Sequence, residues 1–307
     1  MLNRRDFIKK CGIAAGLTIS GNFPTKSLAE TSILKLTILY TNDTQSQLEP
    51  FGPEMPKYAG MGGIQSRADL IQKIRTEEKN VLLLDAGDFF QASPYFDTFK
   101  GSLEIEAMNK MKYDAVCIGE HEFDGGTENL AEQISKANFA VLCSNYQFIN
   151  KELQSRIKAW NIIEKEGIKI GITGIGLDMK NLISEELNKE IIYHDAIKSA
   201  NETAAYLKKK ENCDFIICLS HLGLMDNENN LINDKTLARE SEYIDLIIGG
   251  HSHILLNKPM KFFNKKRQEV LVTQAGWGGT HLGRLDYTFS TKKNILSSNA
   301  QTVEIVK

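Results

Sequence analysis

The chain has 307 residues, a formal net charge of −2, 42% hydrophobic residues and 25% charged residues. These proportions are typical of an ordinary globular protein and exclude a disordered chain. The mild acidity and the lack of a Lys/Arg stripe argue against nucleic-acid binding, and no apolar run reaches the roughly 18 residues of a membrane span.

The first 29 residues are predicted to be an export signal and not part of the fold. Residues 3–10 read NRRDFIKK, a weakly apolar stretch follows from Cys11 to Gly21, and Ser27-Leu28-Ala29 suits signal-peptidase cleavage. Paired arginines, an apolar stretch and a cleavage sequence in this order are typical of a twin-arginine signal. We therefore expect residues 30–307 to fold as one domain in the periplasm.

Beyond the signal, β-rich apolar runs alternate with amphipathic helical patterns. Strands are predicted at 33–40, 81–84, 115–118, 140–144, 168–175, 215–219, 244–248, 270–273, 285–289 and 302–306, and helices at 64–79, 103–111, 128–136 and 196–210. This alternation predicts a single mixed α/β domain. The polar segment 145–166 is expected to be a surface excursion joining two halves.

The expected mature chain keeps four cysteines, Cys117, Cys143, Cys213 and Cys218. Three of them lie in strand-like apolar runs, which favours buried free thiols over the disulfides that an exported protein could form. There is no CxxC pair, so a cysteine zinc site is not expected.

Polar side chains recur where five of the predicted strands end. They are Asp43, Gln45, Asp88, Glu120, His121, His221, His251 and His253. Because loops at the carboxyl ends of strands in an α/β sheet converge on one crevice, we expect these side chains to meet. Oxygen and imidazole donors without thiolate suit Mn²⁺, Fe²⁺, Zn²⁺ or Co²⁺, and eight donors exceed what one ion needs. The sequence therefore predicts two divalent metal ions.

The order of these motifs, DxQ, GDxxQ, GEHEFD, SHxG and GHSH, resembles the calcineurin-like metallophosphoesterase superfamily. The surrounding phrases LYTNDTQSQLEPF, GGIQSRADLI, LLLDAGDFFQ and VTQAGWGGTHLGRLDY are similar to its 5′-nucleotidase branch, and the match runs from about residue 36 to residue 286. The resemblance implies a four-layer α/β/β/α sandwich with mixed sheets and metals at the strand ends.

The resemblance also implies roles for individual residues. Asp43 and His253 would bind the first metal, Asp88 would bridge both metals, and His221 and His251 would bind the second. The implied reaction is hydrolysis of a small-molecule phosphate ester such as a nucleotide, with a metal-bound water or hydroxide attacking phosphorus in line.

A non-ligand histidine completes the constellation that the resemblance implies. His121 would steady the transition state or protonate the leaving oxygen, and Asp124 would orient His121 for that task.

Two positions depart from the family's pattern. Gln45 stands where the family has histidine, and an amide oxygen is a poorer metal donor than an imidazole. Glu120 stands where the family has asparagine, and its carboxylate would either bind the second metal or repel a phosphate dianion.

Three interpretations remain open from the sequence. The chain is a phosphatase with altered metal preference, a hydrolase of a less anionic ester such as a phosphodiester or sulfur ester, or a non-catalytic binding protein that keeps the fold. The family's C-terminal nucleoside-binding domain is expected to be absent. Either substrate recognition is then looser, or a separate polypeptide supplies it.

Overall fold

The computed structural model describes residues 33–91, 93–180, 182–225 and 232–306, so the predicted export signal lies outside the described residues. The strands are β1 (Leu34–Thr41), β2 (Val81–Asp85), β3 (Ala115–Cys117), β4 (Ala140–Leu142), β5 (Tyr146–Phe148), β6 (Trp160–Lys165), β7 (Ile168–Ile175), β8 (Ile191–Tyr193), β9 (Phe215–Ser220), β10 (Leu246–Gly249), β11 (Met260–Phe263), β12 (Glu269–Thr273), β13 (His281–Phe289) and β14 (Ile295–Glu304). The helices are α1 (Ile64–Glu77), α2 (Pro94–Phe99), α3 (Ser102–Met111), α4 (Gly126–Ile134), α5 (Lys151–Arg156), α6 (Glu185–Asn188), α7 (Ala196–Lys209) and α8 (Asp234–Glu240), with one 3₁₀ turn at His121–Phe123.

Two six-stranded mixed sheets form the centre of the domain. The first has the order β14-β13-β1-β2-β3-β4, in which β1 to β4 run parallel while β13 and β14 are antiparallel. The second has the order β11-β12-β10-β9-β7-β6, with four parallel inner strands and an antiparallel strand at each edge. A small antiparallel pair, β5-β8, lies apart from both.

The side chains of β1 show how the layers are assembled. Leu36 and Ile38 belong to a buried core that also contains Ile170 and Phe215 of the second sheet, so this face of β1 packs between the sheets. Alternate residues of a strand point to opposite faces, and Leu39 accordingly joins an outer core shared with helices. Burial of each such large side chain stabilises the fold by about 1.5 to 3 kcal/mol.

The outer core places helices over both sheets. It contains Ile71 of α1 and Met108 of α3 on one side of the molecule, and Ala204 and Leu207 of α7 on the other. Helix α7 begins at Asp195, whose side chain accepts the Lys198 backbone N–H at 2.7 Å, a typical N-cap contact. The predicted four-layer α/β/β/α sandwich is therefore confirmed.

The segment 145–166 is not the polar excursion predicted from its composition. It contains β5, α5 and the edge strand β6, which pairs antiparallel with β7 from Trp160 to Lys165. Tyr146, Phe148 and Leu153 are buried, so three apolar side chains anchor an otherwise polar stretch. Most residues of β6 are only half-buried because the strand lies at the sheet edge, so the sequence lacks the continuous apolar run that marks an inner strand.

Two further expectations concern the cysteines and the membrane. Cys117, Cys143, Cys213 and Cys218 are buried with free thiols, as the apolar runs around three of them indicated. Among the residues that the structure describes, no helix has both the length and the apolar character needed to cross a bilayer.

Candidate metal centre

Five loops at the carboxyl ends of parallel strands bring the predicted residues together. The first sheet supplies Asp43 after β1, Asp88 after β2 and Glu120 after β3, and the second supplies His221 after β9 and His251 after β10. Three groups of these carboxylates and imidazoles have ligand atoms within 4.8 Å of one another: Glu120, His221 and His251; Asp43, Asp88 and His221; and Asp88, Glu120 and His121.

The backbone at the site is held in an uncommon conformation. Asp43, Gln45, Asp88, His251 and His253 have positive φ angles of 49°, 47°, 56°, 65° and 55°. Non-glycine residues adopt this left-handed region at a cost of about 1 kcal/mol or more each, so the surrounding structure must impose it. Backbone hydrogen bonds of Asp43 and Gln45 to the carbonyls of Gly87 and Asp88, at 2.9 and 3.0 Å, tie the first loop to the second.

Glu120, His221, His251 and Asp88 form one half of the site, and Glu120 lies at its centre. Its Oε2 is 3.2 Å from Nε2 of His221, and its Oε1 is 2.7 Å from Nδ1 of His251. Nε2 of His221 is also 3.1 Å from Oδ2 of Asp88. Four donors from two sheets therefore converge on one small volume.

The donor atoms of this half have the properties expected of metal ligands. Nδ1 of His221 lies 2.6 Å from the Ala86 carbonyl and donates its proton there, which leaves Nε2 with a lone pair. Within the described residues, Glu120 Oε2, His221 Nε2 and His251 Nδ1 are buried without a hydrogen-bond partner. These atoms contact one another as close ion pairs without forming hydrogen bonds, and converging carboxylate and imidazole donors of this kind fit a divalent cation.

The electrostatics of this half also favour a cation. Burial raises the pKa of Asp88, and the charges of Glu120 and Asp43 add to that rise against the opposing effect of His221. Burial alone would lower the pKa of His221, but Asp88 and Glu120 beside it raise that pKa well above its usual value. A bound cation would satisfy these carboxylates and displace a proton from the imidazole.

The other half of the site is arranged differently. Asp43 is buried, accepts the His251 backbone N–H on Oδ1 at 3.0 Å, and places the same oxygen 3.5 Å from Nε2 of His253. Gln45 lies in this half as predicted, but its Oε1 accepts the indole N–H of Trp277 and its Nε2 is 3.3 Å from Nε2 of His253. The amide oxygen of Gln45 is thus engaged by protein.

His121 and Asp124 form the predicted pair at the rim of the site. Nδ1 of His121 lies 3.1 Å from Oδ2 of Asp124, and the His121 backbone N–H donates to Oδ1 of Asp88 at 3.0 Å. The hydrogen bond with Asp124 raises the pKa of His121 to about 9, and partial burial opposes this rise. With 29% of its side chain exposed, His121 is accessible from the crevice.

Two residues of the site were missed by reasoning from sequence. Glu122 is fully buried and accepts backbone N–H groups of Asp88, Gly119 and Phe90 at 2.9, 2.7 and 3.0 Å, so it joins two ligand loops. A carboxylate inside the phrase GEHEFD, next to an apolar strand, was the available signal. Nothing in the sequence around Trp277 indicates its contact with Gln45.

A two-sheet sandwich with carboxylates and imidazoles gathered at its strand ends defines a metallophosphoesterase. Residues 36–255 match the calcineurin-like phosphoesterase family, and the chain belongs to that family.

Similar proteins agree with this assignment. The chain is 30% identical over 293 residues to snake venom 5′-nucleotidase from Crotalus adamanteus, with 89% of this chain and 48% of the relative covered. The structure of a 5′-nucleotidase precursor from Thermus thermophilus has a TM-score of 0.80 and 29% identity, covering 89% of this chain and 55% of that one. The calcineurin-like phosphoesterase YfkN from Bacillus subtilis has a TM-score of 0.75 and 26% identity, covering 90% and 93%. The chain spans about half the length of the curated 5′-nucleotidases that it matches.

Proposed function

We propose that this protein is a metal-dependent phosphoester hydrolase of the 5′-nucleotidase type, acting on small phosphate esters that include nucleotides. The observation that carries the proposal is the convergence of Asp88, Glu120, His221 and His251 beside the His121–Asp124 pair. Three of the converging ligand atoms are buried and form no hydrogen bond. A cation between these atoms would supply the bonding partner that their hydrogen-bond geometry leaves open.

The residues of the site can hold two divalent cations, drawn from Mn, Zn, Fe and Co by the chemistry of the donors. Asp43, His253 and Gln45 would lie around one, Glu120, His221 and His251 around the other, and Asp88 would serve both. When bound, such ions activate a water and offset the charge of a phosphoryl group.

His121 is proposed to protonate the leaving oxygen. Its hydrogen bond to Asp124 through Nδ1 fixes the ring and leaves Nε2 for the substrate, and the backbone contact with Asp88 places the pair against the ligand loops. A positioned acid of this kind contributes about 10²-fold to 10⁴-fold to the rate.

A second candidate, hydrolysis of a less anionic ester, rests on Glu120. Its carboxylate lies 2.7 Å from His251 and 3.2 Å from His221, where a phosphate dianion would meet like charge. A phosphodiester or a sulfur ester carries less charge at the reacting centre and meets less repulsion.

The proposal also includes location and a partner. Export to the periplasm is supported by the residue pattern NRRDFIKK near the N-terminus. A separate polypeptide of the nucleotidase C-terminal type is proposed to supply nucleoside recognition, in which case mixing the two proteins raises hydrolysis of AMP. Unchanged hydrolysis together with absent binding would remove the partner from the proposal.

The test is hydrolysis of AMP, p-nitrophenyl phosphate and bis(p-nitrophenyl) phosphate by purified protein with Mn²⁺, with Zn²⁺ and after chelation. We expect metal-dependent turnover, and we expect His121→Ala to reduce hydrolysis of AMP by about 100-fold and hydrolysis of the two nitrophenyl esters far less. His281→Ala, on β13 outside the centre, is the matched control and should retain full activity. Absence of turnover with every ester and metal, in folded protein, would leave a binding protein as the surviving interpretation.

A further inference from the structure

The two halves of the metal centre are built unequally. We infer that the protein keeps one resident divalent cation, at Glu120, His221 and His251, and that the half around Asp43 and His253 takes a second cation weakly. The inference rests on the proposed function, because it concerns the ions of that same site, and it explains how the two departures from the family's pattern work together.

The half of the site that is inferred to keep the resident cation has ligand atoms that are free to bind it. Glu120, His221 and His251 present the orphaned atoms Oε2, Nε2 and Nδ1, while Asp88 adds Oδ2 at 3.1 Å from the same His221 nitrogen. Two imidazoles and two carboxylates make a complete set for a transition-metal ion. Glu120 therefore supplies a strong anionic donor where a neutral amide would supply a weak one.

The other half has donors that are already in use. The carbonyl oxygen of Gln45 accepts the Trp277 indole N–H, and its amide group, a donor, faces Nε2 of His253 at 3.3 Å. A lone pair on His253 that accepts this amide hydrogen is not available to a cation. In the ranges that the structure describes, no group of three or more converging acidic, histidine or cysteine donors includes His253.

Trp277 holds Gln45 in this state through a rigid aromatic cluster. Its ring lies 5.1 Å from Phe51 and 5.8 Å from Tyr58, and it stacks on His253 at 6.0 Å. The backbone N–H of the next residue, Gly278, donates to the Asp43 carbonyl at 2.8 Å. Because the indole is held by these neighbours, release of Gln45 toward a cation would take from the half-buried Trp277 N–H the acceptor that it has in this arrangement.

Counting bound metal tests the inference directly. The protein is saturated with Mn²⁺, passed through a desalting column and analysed by elemental mass spectrometry, while isothermal titration gives the affinity of each site. We expect one retained ion per wild-type chain. Gln45→His should retain two, because an imidazole replaces the engaged amide, and Gln47→His, which adds histidine outside the donor groups, should retain one.

Two further variants separate the roles of Trp277 and Glu120. Trp277→Phe keeps a ring but removes the N–H, and it should tighten the second site severalfold by freeing the Gln45 oxygen. Glu120→Gln should weaken the resident site by about 10-fold or more, because a neutral amide oxygen is a poorer metal donor than a carboxylate. The rise in melting temperature on Mn²⁺ addition reports whether each variant is folded and binds metal.

The outcomes distinguish the inference from the proposed function. Two equally tight ions in the wild type, with phosphoester turnover, would overturn the inference and leave the function standing. One ion in both wild type and Gln45→His would refute the part assigned to Gln45 and Trp277. No bound metal and no turnover in folded protein would overturn the proposed function, and the inference with it.

Discussion

Oε1 of Glu120 lies 2.7 Å from Nδ1 of His251, a direct contact between a loop of the first sheet and a loop of the second. Burial by itself would raise the pKa of Glu120, but the imidazoles of His221 and His251 overcome that effect and hold the pKa well below its usual range. A permanent negative charge therefore stands among the expected metal ligands. We expect this charge to influence which esters the site accepts.

Removal of that charge should shift the substrate preference toward dianions. In Glu120→Gln assayed at saturating Mn²⁺, we expect the ratio of kcat/KM for p-nitrophenyl phosphate to that for bis(p-nitrophenyl) phosphate to rise about 10-fold. The physical reason is loss of like-charge repulsion with the monoester dianion. Glu128→Gln, on the exposed side of α4, is the control and should leave the ratio unchanged. An unchanged ratio in Glu120→Gln would mean that the carboxylate does not face the phosphoryl group.

Asp124 should act through His121, and the leaving group should reveal it. In Asp124→Asn the anionic partner of His121 is lost, and we expect kcat to fall by about 100-fold for AMP and far less for p-nitrophenyl phosphate, whose leaving oxygen needs no proton. KM should stay near its wild-type value, since Asp124 is not assigned to substrate binding.

The control for this experiment is Asp97→Asn, an exposed acidic residue in α2. Equal losses with both esters would contradict the assignment of His121 as the acid, and would indicate that Asp124 supports the structure of the site more broadly.

The fold was predictable where strands are buried on both faces. The strands β1, β7, β9 and β10 are apolar because one face of each packs against the opposite sheet and the other face packs against helices. A continuous apolar run of this kind can be recognised from the sequence alone. The edge strand β6 was missed because its residues are half-buried. The short helix α2 was missed as well, since its exposed Tyr95 and Phe99 break the apolar stripe expected of a helix face.

The sequence was sufficient to predict which residues form the site, but not which contacts these residues make. Strand ends place Asp43 and Asp88 in one crevice by topology alone. The engagement of Gln45 by Trp277 spans 232 positions of sequence, and nothing local to either residue indicates it. Sequence could identify Gln45 as a weakened donor, whereas the structure shows what keeps its oxygen occupied.

Asp245 should make stability fall as pH rises through the acid range. Asp245 lies directly before β10, and its Oδ2 accepts the Ile216 N–H of β9 at 2.8 Å. Burial raises the pKa of Asp245 from 3.8 to about 6. As the pH rises, the unfolded chain releases the Asp245 proton at a lower pH than the folded protein does. The free energy of unfolding therefore falls between about pH 4 and pH 6. Asp245→Asn keeps the oxygen acceptor and removes the titration, and should gain about 2 kcal/mol relative to wild type across that window.

The measurement for Asp245 is urea unfolding at pH 4, 5, 6 and 7, with Asp69→Asn on the exposed face of α1 as the control. A difference between Asp245→Asn and wild type that is constant with pH would show that Asp245 does not titrate in this range.

Glu122 should be needed for the stability of the ligand loops, although it is not assigned to the metal. Its carboxyl group accepts three backbone N–H groups, from Asp88, Gly119 and Phe90. In Glu122→Gln an amide N–H₂ must face at least one of these donors. Above about pH 8, where the Glu122 carboxyl group is ionised, we therefore expect the free energy of unfolding to fall by about 1 to 3 kcal/mol, the cost of a buried unsatisfied donor.

Urea unfolding of the metal-free protein measures this loss without interference from bound ions. Glu152→Gln, which breaks an exposed ion pair with Arg156 in α5, is the matched control and should cost less than about 1 kcal/mol. Burial raises the pKa of Glu122 to about 8, with the charge of Asp88 adding to the rise and the N–H groups opposing it. At pH 7 the carboxyl group therefore carries a proton, its O–H occupies the place of the amide, and Glu122→Gln should unfold like the wild type. Equal stability of the two proteins above about pH 8 as well would contradict the role assigned to the Glu122 carboxylate.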